Sequence, residues 1–403
     1  MHPVRMWSLI GAILLIVGTS IGGGMLALPL ATANMGFLPA SVGLLMTWLL
    51  MTLGALYLLE VNVALPVGAN LISMAGRTLG RFGQGLAWLS YLILLYSLLS
   101  AYTGGGRELV GHVLGFLGVV VSPVTATLVF VALFSAVVYC GLQKVDWLNR
   151  VIMIIKFSAY FALVAFSMPH LQVSRLLIMP TAVTLSIPTV MIMITAYGYA
   201  IIIPSLRAYF GERVDLLRRA VIVGSIIPLI FYVLWEGVIF AAVPLSGPNS
   251  LQTLAGSSQP LTGLMQLIAT VSGQSSFAMI ADIFTTICVL TAFLGVSLCL
   301  MDFLSDGLSA QKSGLAGGLI YLLTFVPPLV SALFAPEVFV YGLSLSGMMC
   351  VILLMLLPAW MAWRRRSLQI PSPYEVAGGR LPIAILILCA FVLMIFLLKK
   401  LFG

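Results

Sequence analysis

The feature that most restricts the fold of this chain is a glycine-rich stretch, residues 18–24 (GTSIGGG), at the centre of an apolar run over residues 7–33. Glycine weakens a helix by roughly 1 kcal/mol per residue relative to alanine. Lipid cannot satisfy the backbone groups that such a break releases, so irregular backbone at membrane depth must be buried in protein or line a cavity. The stretch therefore predicts a discontinuous membrane helix whose broken centre binds a ligand.

The composition extends this prediction to the whole chain. Its 403 residues are 62% hydrophobic and 7% charged, whereas a soluble domain carries about 25% charged residues. With a span of about 20 apolar residues as the template, we predict eleven membrane helices, at residues 7–33, 38–64, 84–104, 124–141, 147–167, 185–208, 219–243, 276–304, 315–334, 337–360 and 381–402. The predicted fold class is an all-α polytopic membrane protein with one transmembrane domain, residues 1–403.

The positions of lysine and arginine predict the orientation of these helices. With the N-terminus in the cytoplasm, most of the 19 basic residues fall in cytoplasmic loops, as the positive-inside rule requires. The three arginines at residues 364–366 belong to this signal. An odd number of spans then places the C-terminus outside. Orientation accounts for the net charge of +8, so we expect no nucleic acid partner.

Two features recur when the sequence is shifted by 176 residues, which brings Gly22 onto Gly198 and Glu60 onto Glu236. The sixth predicted span therefore also has a break, at residues 195–199. Five spans separate the two copies, so the copies cross the membrane in opposite directions. This predicts a five-plus-five inverted repeat, with repeats at residues 7–167 and 185–360 and an extra C-terminal helix at 381–402. Inverted repeats with broken helices are typical of secondary transporters.

Seven segments carry a family resemblance, namely residues 18–31 (GTSIGGGMLALPLA), 58–61 (LLEV), 104–109 (GGGREL), 293–297 (FLGVS), 302–306 (DFLSD), 325–329 (FVPPL) and 374–380 (YEVAGGR). Together they resemble the hydroxy and aromatic amino acid permeases, and among these the bacterial tyrosine-specific transport proteins. The resemblance implies the amino acid–polyamine–organocation fold and a proton-driven amino acid symporter of the inner membrane. Residues 196–200 (AYGYA) depart from the Phe-Gly-Phe-His expected of tyrosine permeases, which leaves side-chain selectivity open.

A broken helix can bind both charges of an amino acid with backbone groups alone. Free N–H groups at Gly23, Gly24 and Met25 are expected to face the carboxylate. Free carbonyls at residues 19–21 and 195–196 are expected to face the ammonium. The alternative is that these glycines serve only close helix packing. The candidate substrate-binding residues are Thr19, Ser20, Ile21, Gly22, Gly23, Gly24, Met25, Tyr96, Ser100, Thr195, Ala196, Tyr197, Gly198 and Tyr199.

The aromatic candidates have an equally ordinary alternative. Tyr197 and Tyr199 flank the second break, where an aromatic ring can stack on an aromatic ligand and offer a hydroxyl. They can instead be packing residues. Tyr96 and Ser100 lie one turn apart in the third predicted span, which the resemblance places beside the site.

Lys156 is the strongest candidate for coupling. It lies deep within the fifth predicted span, and a lysine at that depth is rare and costly. In proton-coupled transporters of the implied fold, a lysine on the fifth helix takes the place of a sodium ion, against the first break and near Thr291. We hypothesise that protonated Lys156 binds carbonyls of the break and releases them when it loses its proton. The alternative is a static structural lysine.

The remaining coupling candidates are polar groups within predicted spans. They are Thr291, Ser297, Asp282, Glu60 and Glu236. The two glutamates can instead be helix-pairing groups. The three histidines, His2, His112 and His170, fall in predicted termini or loops, so no histidine relay is expected.

Two other functional classes fit the sequence poorly. A channel needs a continuous polar stripe along its pore, and almost no predicted helix has one. An enzyme needs a nucleophile with a base or a set of metal ligands, and no such pattern is present. We expect no metal and no cofactor, and as partners an amino acid, a proton and membrane lipid. Sodium coupling and a broader neutral amino acid specificity remain the alternatives.

Overall fold

The computed structural model describes residues 3–116, 118–139, 142–180, 183–211, 213–255, 257, 260–272, 275–308, 314–335 and 337–402. Regular structure in these ranges is helical. The α-helices are α1 (Pro3–Ser20), α2 (Gly23–Ala31), α3 (Phe37–Ala64), α4 (Leu71–Phe116), α5 (Pro123–Tyr139), α6 (Leu142–Ser167), α7 (Ile187–Ala196), α8 (Ile203–Phe210), α9 (Val214–Ala242), α10 (Leu251–Ala255), α11 (Pro260–Ser272), α12 (Ser275–Gly307), α13 (Gly314–Phe334), α14 (Val338–Cys350), α15 (Leu357–Ser367) and α16 (Leu381–Phe402).

Shorter helical segments complete the chain. Three are 3-10 helices, at Met168–His170, Val173–Leu177 and Gly198–Ile202. The segment Val351–Leu356 is a π-helix that joins α14 to α15. Such local changes of helix type often occur at functional or strained positions.

The protein is a polytopic helical membrane protein. Among the residues that the structure describes, seven helices are long and apolar enough to cross a membrane, or eight if the bent pair α1 and α2 forms one span. α5, α6 and α16 supply shorter apolar helices. Each range predicted as a span contains helix, so the helix positions agree with the sequence. The count of eleven spans goes beyond these findings and remains a prediction.

The third predicted span, residues 84–104, is longer than the sequence indicated. α4 has 46 residues and bends at Gly80, whose φ of 75° lies in the region that favours glycine. The assignment of His112 to a loop is therefore wrong, because His112 lies in the last turns of α4. The helix continues beyond the apolar stretch because its polar side chains find partners. Arg107, for example, donates to the carbonyl of Ala332 on α13 at 3.0 Å.

The short helix α2 lies at the centre of the packed helices. It contacts α7, α9 and α12, and α14 in turn packs against α4 and α7. Residues 23–30 of α2 are buried, although α2 carries no charged residue and no strong amphipathic pattern. Helices from both halves of the chain therefore surround the glycine-rich break.

Glycine permits backbone contact between helices at two other places. A methyl group on Gly347 of α14 would overlap the carbonyl oxygen of Met191 on α7. A methyl group on Gly54 of α3 would overlap the Leu354 carbonyl of the π-helical segment. Close packing through small residues, typical of membrane helices, is therefore found at glycines that the sequence did not single out.

Candidate functional site

The first predicted break is present between α1 and α2. α1 ends at Ser20 and α2 begins at Gly23, and the axes of the two helices differ by 50°. Gly22 between them is extended, with φ −157° and ψ −151°, and no side chain caps α2. The first N–H groups of a helix have no partner within it. The Met25 N–H is an exception, since it donates to the Gly22 carbonyl at 3.1 Å.

The second predicted break is milder than the first. α7 ends at Ala196, and after Tyr197 the chain continues as the 3-10 helix Gly198–Ile202 before α8. Ile187–Arg207 remains a single apolar stretch without a sharp bend. The prediction of open backbone over residues 195–199 is therefore only partly met, because 3-10 hydrogen bonds replace the α-helical ones. The Tyr197 N–H, for example, donates to the Ile194 carbonyl at 3.0 Å.

The two breaks lie side by side. A methyl group on Gly24 would lie 3.6 Å from Cα of Ala196, an ordinary contact distance. The hydroxyl of Tyr232, on α9, lies 2.6 Å from the Ser20 carbonyl oxygen and 2.7 Å from that of Ala196. Tyr232 thereby connects the end of α1 to the end of α7. Sequence reasoning missed it because a tyrosine in an apolar helix carries no distinguishing signal.

The Lys156 ammonium lies at the first break, where the sequence predicted it. Its Nζ donates to the Ile21 carbonyl oxygen at 2.6 Å, and the side chain is 1% exposed. An ammonium without this partner would be very costly at this depth. Thr291 and Ser297 lie on α12, but their hydroxyls donate to carbonyls of their own helix, at Ile287, Cys288 and Phe293.

Three of the carbonyls that the sequence offers to a ligand already accept a hydrogen bond. Ser20 and Ala196 accept from Tyr232, and Ile21 accepts from Lys156. Each carbonyl oxygen has a second lone pair, so a bound ammonium can share these acceptors. The hydroxyls of Thr19, Ser20 and Thr195 instead bond to main-chain carbonyls of their own helices, and Thr195 also reaches the Leu343 carbonyl on α14 at 2.9 Å.

Three tyrosine rings surround the breaks, and only one of them was predicted. Tyr197 meets the ring of Tyr232 edge to face, with centroids 5.2 Å apart. Its buried hydroxyl has no hydrogen-bond partner among the described residues. Tyr102 on α4 covers Gly23, where an added methyl group would lie 2.5 Å from the ring. These rings form an aromatic wall beside the free N–H groups of α2.

Two other tyrosine candidates point elsewhere. The Tyr199 hydroxyl bonds to that of Thr52 on α3 at 3.0 Å. The Tyr96 hydroxyl donates to the Leu323 carbonyl on α13 at 2.8 Å. Each is held by a helix away from α2, so neither faces the break. Ser100 is buried on α4, the helix that also carries Tyr102.

A cavity of about 170 Å³ lies beyond the breaks, between the far end of α2 and the start of α7. Its lining includes Ala27, Ala31, Asn34, Thr189 and Ile192. The Thr189 hydroxyl donates to the Ala31 carbonyl at 2.7 Å. Small, polar and apolar side chains therefore line a space beside the far end of α2.

The three candidate acids have different environments. Glu60, fully buried on α3, accepts from Arg365 at 2.9 Å and from Arg366 at 2.6 Å. Asp282, 35% exposed on α12, pairs with His112 at 3.5 Å. Glu236 is fully buried on α9, and among the described residues its carboxyl hydrogen-bonds only to the Thr32 hydroxyl.

The Glu60 ion pairs add a structural role to Arg365 and Arg366. They connect the end of α3 to α15 and to the following loop, where the Val376 N–H also donates to Glu60 at 2.8 Å. Arg365 also lowers the pKa of the exposed Glu375 carboxyl, to which it donates at 2.5 Å. Glu60 and the three arginines at residues 364–366 are predicted at the same side of the membrane, and the sequence analysis did not use this signal to pair them.

A discontinuous helix buried at the centre of an apolar helical bundle, with its break lined by polar backbone groups, is typical of membrane transporters. The chain belongs to the tryptophan/tyrosine permease family, whose model matches residues 5–397. It is an amino acid permease of this family and not an enzyme.

Relatives within the family differ in the substrate that they are named for. The chain is 33% identical to tyrosine-specific transport system 1 of Haemophilus influenzae, covering 94% of this chain and 93% of the relative. It is 30% identical to a tryptophan-specific transport protein of Pseudomonas aeruginosa, over 96% and 93%. It is 29% identical to glutamine transporter 2 of Aliivibrio fischeri, over 96% and 99%.

Proposed function

We propose that this chain imports an aromatic amino acid, tyrosine in first place, by proton symport across a bacterial inner membrane. The observation that carries the proposal is the Lys156 ammonium bonded to the Ile21 carbonyl at the break between α1 and α2. A titratable group at this point contacts the same unwound backbone that a substrate would use. Proton and substrate are thereby coupled through one short segment.

The substrate is expected to lie along the start of α2. Its carboxylate accepts from the Gly23 and Gly24 N–H groups, at the positive end of the helix dipole. Its ammonium binds the second lone pairs of the Ser20 and Ala196 carbonyls. The rings of Tyr102 and Tyr197 then receive an aromatic side chain, which favours edge-to-face contacts.

Tyrosine is the first candidate because a relative 33% identical to this chain is named tyrosine-specific. The buried Tyr197 hydroxyl, without a hydrogen-bond partner among the described residues, suits a substrate that carries a hydroxyl of its own. A broader neutral amino acid specificity is the alternative, since another relative is named a glutamine transporter.

Protons are favoured over sodium by the donors at the break. A sodium ion needs several oxygen ligands at once, and the carbonyls of Ser20, Ile21 and Ala196 already accept from Tyr232 and Lys156. An ammonium on the Ile21 carbonyl would repel a second cation at that oxygen. A sodium ion at the Ile21 carbonyl would therefore require the Lys156 ammonium to leave.

The proposed architecture has eleven spans arranged as a five-plus-five inverted repeat and an extra C-terminal helix. The N-terminus is cytoplasmic and the C-terminus periplasmic. Glu60 and Glu236 occupy equivalent positions in the two repeats, at opposite ends of the bundle. The cavity bounded by Asn34 and Thr189 then opens to the outside.

The test is uptake of labelled tyrosine into proteoliposomes under an inward proton gradient. We expect accumulation against the tyrosine gradient, unchanged when choline replaces sodium. Lys156→Met is expected to lose accumulation but to keep exchange of internal for external tyrosine. Lys156→Arg separates the two roles of the lysine, because arginine keeps a charge and cannot lose its proton.

Several results would contradict the proposal. Full accumulation of tyrosine by Lys156→Met would show that Lys156 has no role in coupling. Full accumulation by Lys156→Arg would show that Lys156 acts as a permanent charge and does not release its proton. A strict sodium requirement establishes the alternative ion. Flux that ignores every gradient and does not saturate indicates a channel.

A further inference from the structure

Glu236 is the one buried acid of the site region whose charge nothing balances within the described part of the chain. Its side chain is fully buried near the end of α9, and no basic residue forms a described ion pair with it. Its equivalent Glu60 receives two arginines and a main-chain N–H. A carboxylate buried without such partners is very costly.

If Glu236 is ionised, there is one proton too few for the hydrogen bonds that join Leu28, Thr32 and Glu236. Thr32 Oγ1 lies 2.8 Å from the Leu28 carbonyl oxygen and 2.9 Å from each carboxyl oxygen of Glu236. The threonine hydroxyl carries a single proton. If that proton goes to the Leu28 carbonyl, an ionised Glu236 has no donor. If it goes to Glu236, the contact with Leu28 has no proton.

A protonated Glu236 supplies a proton to both hydrogen bonds of the Thr32 hydroxyl, the one to Leu28 and the one to the carboxyl group. The carboxylic O–H donates to Thr32 Oγ1, and the threonine proton goes to the Leu28 carbonyl. We infer that Glu236 is neutral in this conformation and is a second proton carrier of the transport cycle. It exchanges its proton with the outside when the end of α2, which carries Thr32, separates from α9. This inference deepens the proposed function and rests on it for the direction of transport.

The described residues around Glu236 include no group that would hold it ionised. From α6, Lys156 is bonded to Ile21, and the Tyr160 hydroxyl donates to the Phe231 carbonyl at 3.0 Å. From the segment Val173–Leu177, Arg175 donates to the Ala242 carbonyl at the end of α9.

The other titratable groups described on the elements around α9 are phenols, Glu60 and arginines that are bonded to other groups. After α7, the Tyr197 phenol lies within electrostatic range of the carboxyl. Tyr232, one turn earlier on α9, is bonded to Ser20 and Ala196. α2 and the described part of α11 contribute no titratable side chain. α3 carries Glu60, which is paired with Arg365 and Arg366. α8 carries Arg207, which donates to main-chain carbonyls within residues 62–65.

The protonation state is measured by infrared spectroscopy of the purified protein at neutral pH. We expect the carbonyl stretch of a protonated carboxylic acid, shifted in heavy water and lost in Glu236→Gln. Glu375→Gln is the control, since the exposed Glu375 carboxyl accepts from Arg365 at 2.5 Å, which lowers its pKa. Glu375 is therefore ionised at neutral pH, and this variant is expected to keep the band.

The coupling role is measured by tyrosine accumulation in proteoliposomes at several imposed pH gradients. If Glu236 carries one transported proton, Glu236→Gln lowers the accumulation ratio about tenfold per pH unit, because one pH unit is a factor of ten in an equilibrium. Exchange without a gradient is expected to persist. Thr32→Val is expected to alter the pH dependence of uptake, and Thr32→Ser, which keeps the hydroxyl, to restore it.

Two outcomes overturn the inference. One is an infrared band that Glu236→Gln leaves intact, and the other is accumulation by that variant equal to the unmodified protein at every gradient. The infrared measurement involves no transport. If the unmodified protein fails to accumulate tyrosine with protons, the proposed function fails, while the protonation of Glu236 is still decided by its own measurement.

Discussion

The hydroxyl of Tyr232 lies between two carbonyl oxygens that belong to different helices. It has one proton for the Ser20 and Ala196 carbonyls, at 2.6 and 2.7 Å. The proton is therefore shared or alternates between them. With Lys156 on Ile21, the break has two side-chain donors that hold its backbone in the absence of substrate. Their arrangement sets the distance between the two groups of carbonyls that would receive an ammonium.

Tyr232→Phe is expected to impair both stability and transport. Two buried carbonyls lose their donor, and an unsatisfied buried polar group costs about 1–3 kcal/mol. We expect a lower melting temperature and a raised KM for tyrosine uptake, because the ends of α1 and α7 are no longer connected.

Tyr160→Phe is the matched control for this variant. It removes another buried hydroxyl, which donates to the Phe231 carbonyl on α9 and not to a carbonyl of either break. The control is expected to lose stability without a change in KM. Equal KM values for Tyr232→Phe and the unmodified protein would contradict the role given to Tyr232.

At the residue scale, the sequence predicted what is chemically unusual and missed what is common. Four glycines in an apolar run and a lysine far from either end of a span stand out against their surroundings, and both lie at the break. Tyr102, Tyr232 and Thr32 belong to residue types that occur throughout membrane helices. Only their position in three dimensions distinguishes them, so no pattern in one sequence could have selected them.

α7 and α14 are in direct backbone contact. Gly347 of α14 lies directly against the Met191 carbonyl of α7, and the Thr195 hydroxyl of α7 donates to the Leu343 carbonyl of α14. α7 ends at the second break, so its position depends on this contact. The pair fixes one wall of the site while α2 lies against the other face of α7.

Gly347→Ala is expected to destabilise the protein and to reduce uptake. Overpacking of a well-packed core costs about 1–3 kcal/mol, which exceeds the gain of up to about 1 kcal/mol in helix propensity. Gly318→Ala on α13 is the control, because nothing lies within 4 Å of a methyl group there. Thermal unfolding in detergent measures both. A Gly347→Ala protein as stable as the control would show that α14 can move away without cost.

Hydropathy predicted where helices occur but not how far they extend or how sharply they break. The first turns of α4 contain Arg77 and Arg81 and are too polar to match the template of an apolar span, yet they are helical. The sequence also predicted a break at residues 195–199. It is closed by 3-10 hydrogen bonds, because a single glycine at 198 disrupts the helix less than the three at 22–24. Side-chain partners and local hydrogen bonds decide these details.

The whole molecule responds to its ligand through linkage between binding and unfolding. A ligand that binds only the folded protein stabilises it by about 2.7 kcal/mol at a concentration of 100 Kd. A thermal-shift panel of the twenty amino acids therefore identifies the substrate without a transport assay. We expect tyrosine to raise the melting temperature most, with tryptophan and phenylalanine next.

D-tyrosine is the control for this panel, because it carries the same chemical groups with the opposite configuration at Cα. Stabilisation by glutamine alone, or equal stabilisation by both tyrosine enantiomers, would contradict aromatic selectivity at the break. The sequence placed the chain in its family, but the replacement of Phe-Gly-Phe-His by residues 196–200 left the preferred side chain undecided.

If α2 rotates about Gly22, as a lever turns about a pivot, its far end moves much more than its start. At nine residues and 1.5 Å per residue it is about 13 Å long, so a rotation of about 10° displaces its far end by about 2 Å. Thr32 lies at that far end, and such a displacement separates its hydroxyl from Glu236. Gly23 and Gly24 lie beside the pivot, where the same rotation moves atoms very little. In the proposed mechanism, a substrate would therefore remain bound beside Gly22 while the opposite end of α2 opens a path for a proton.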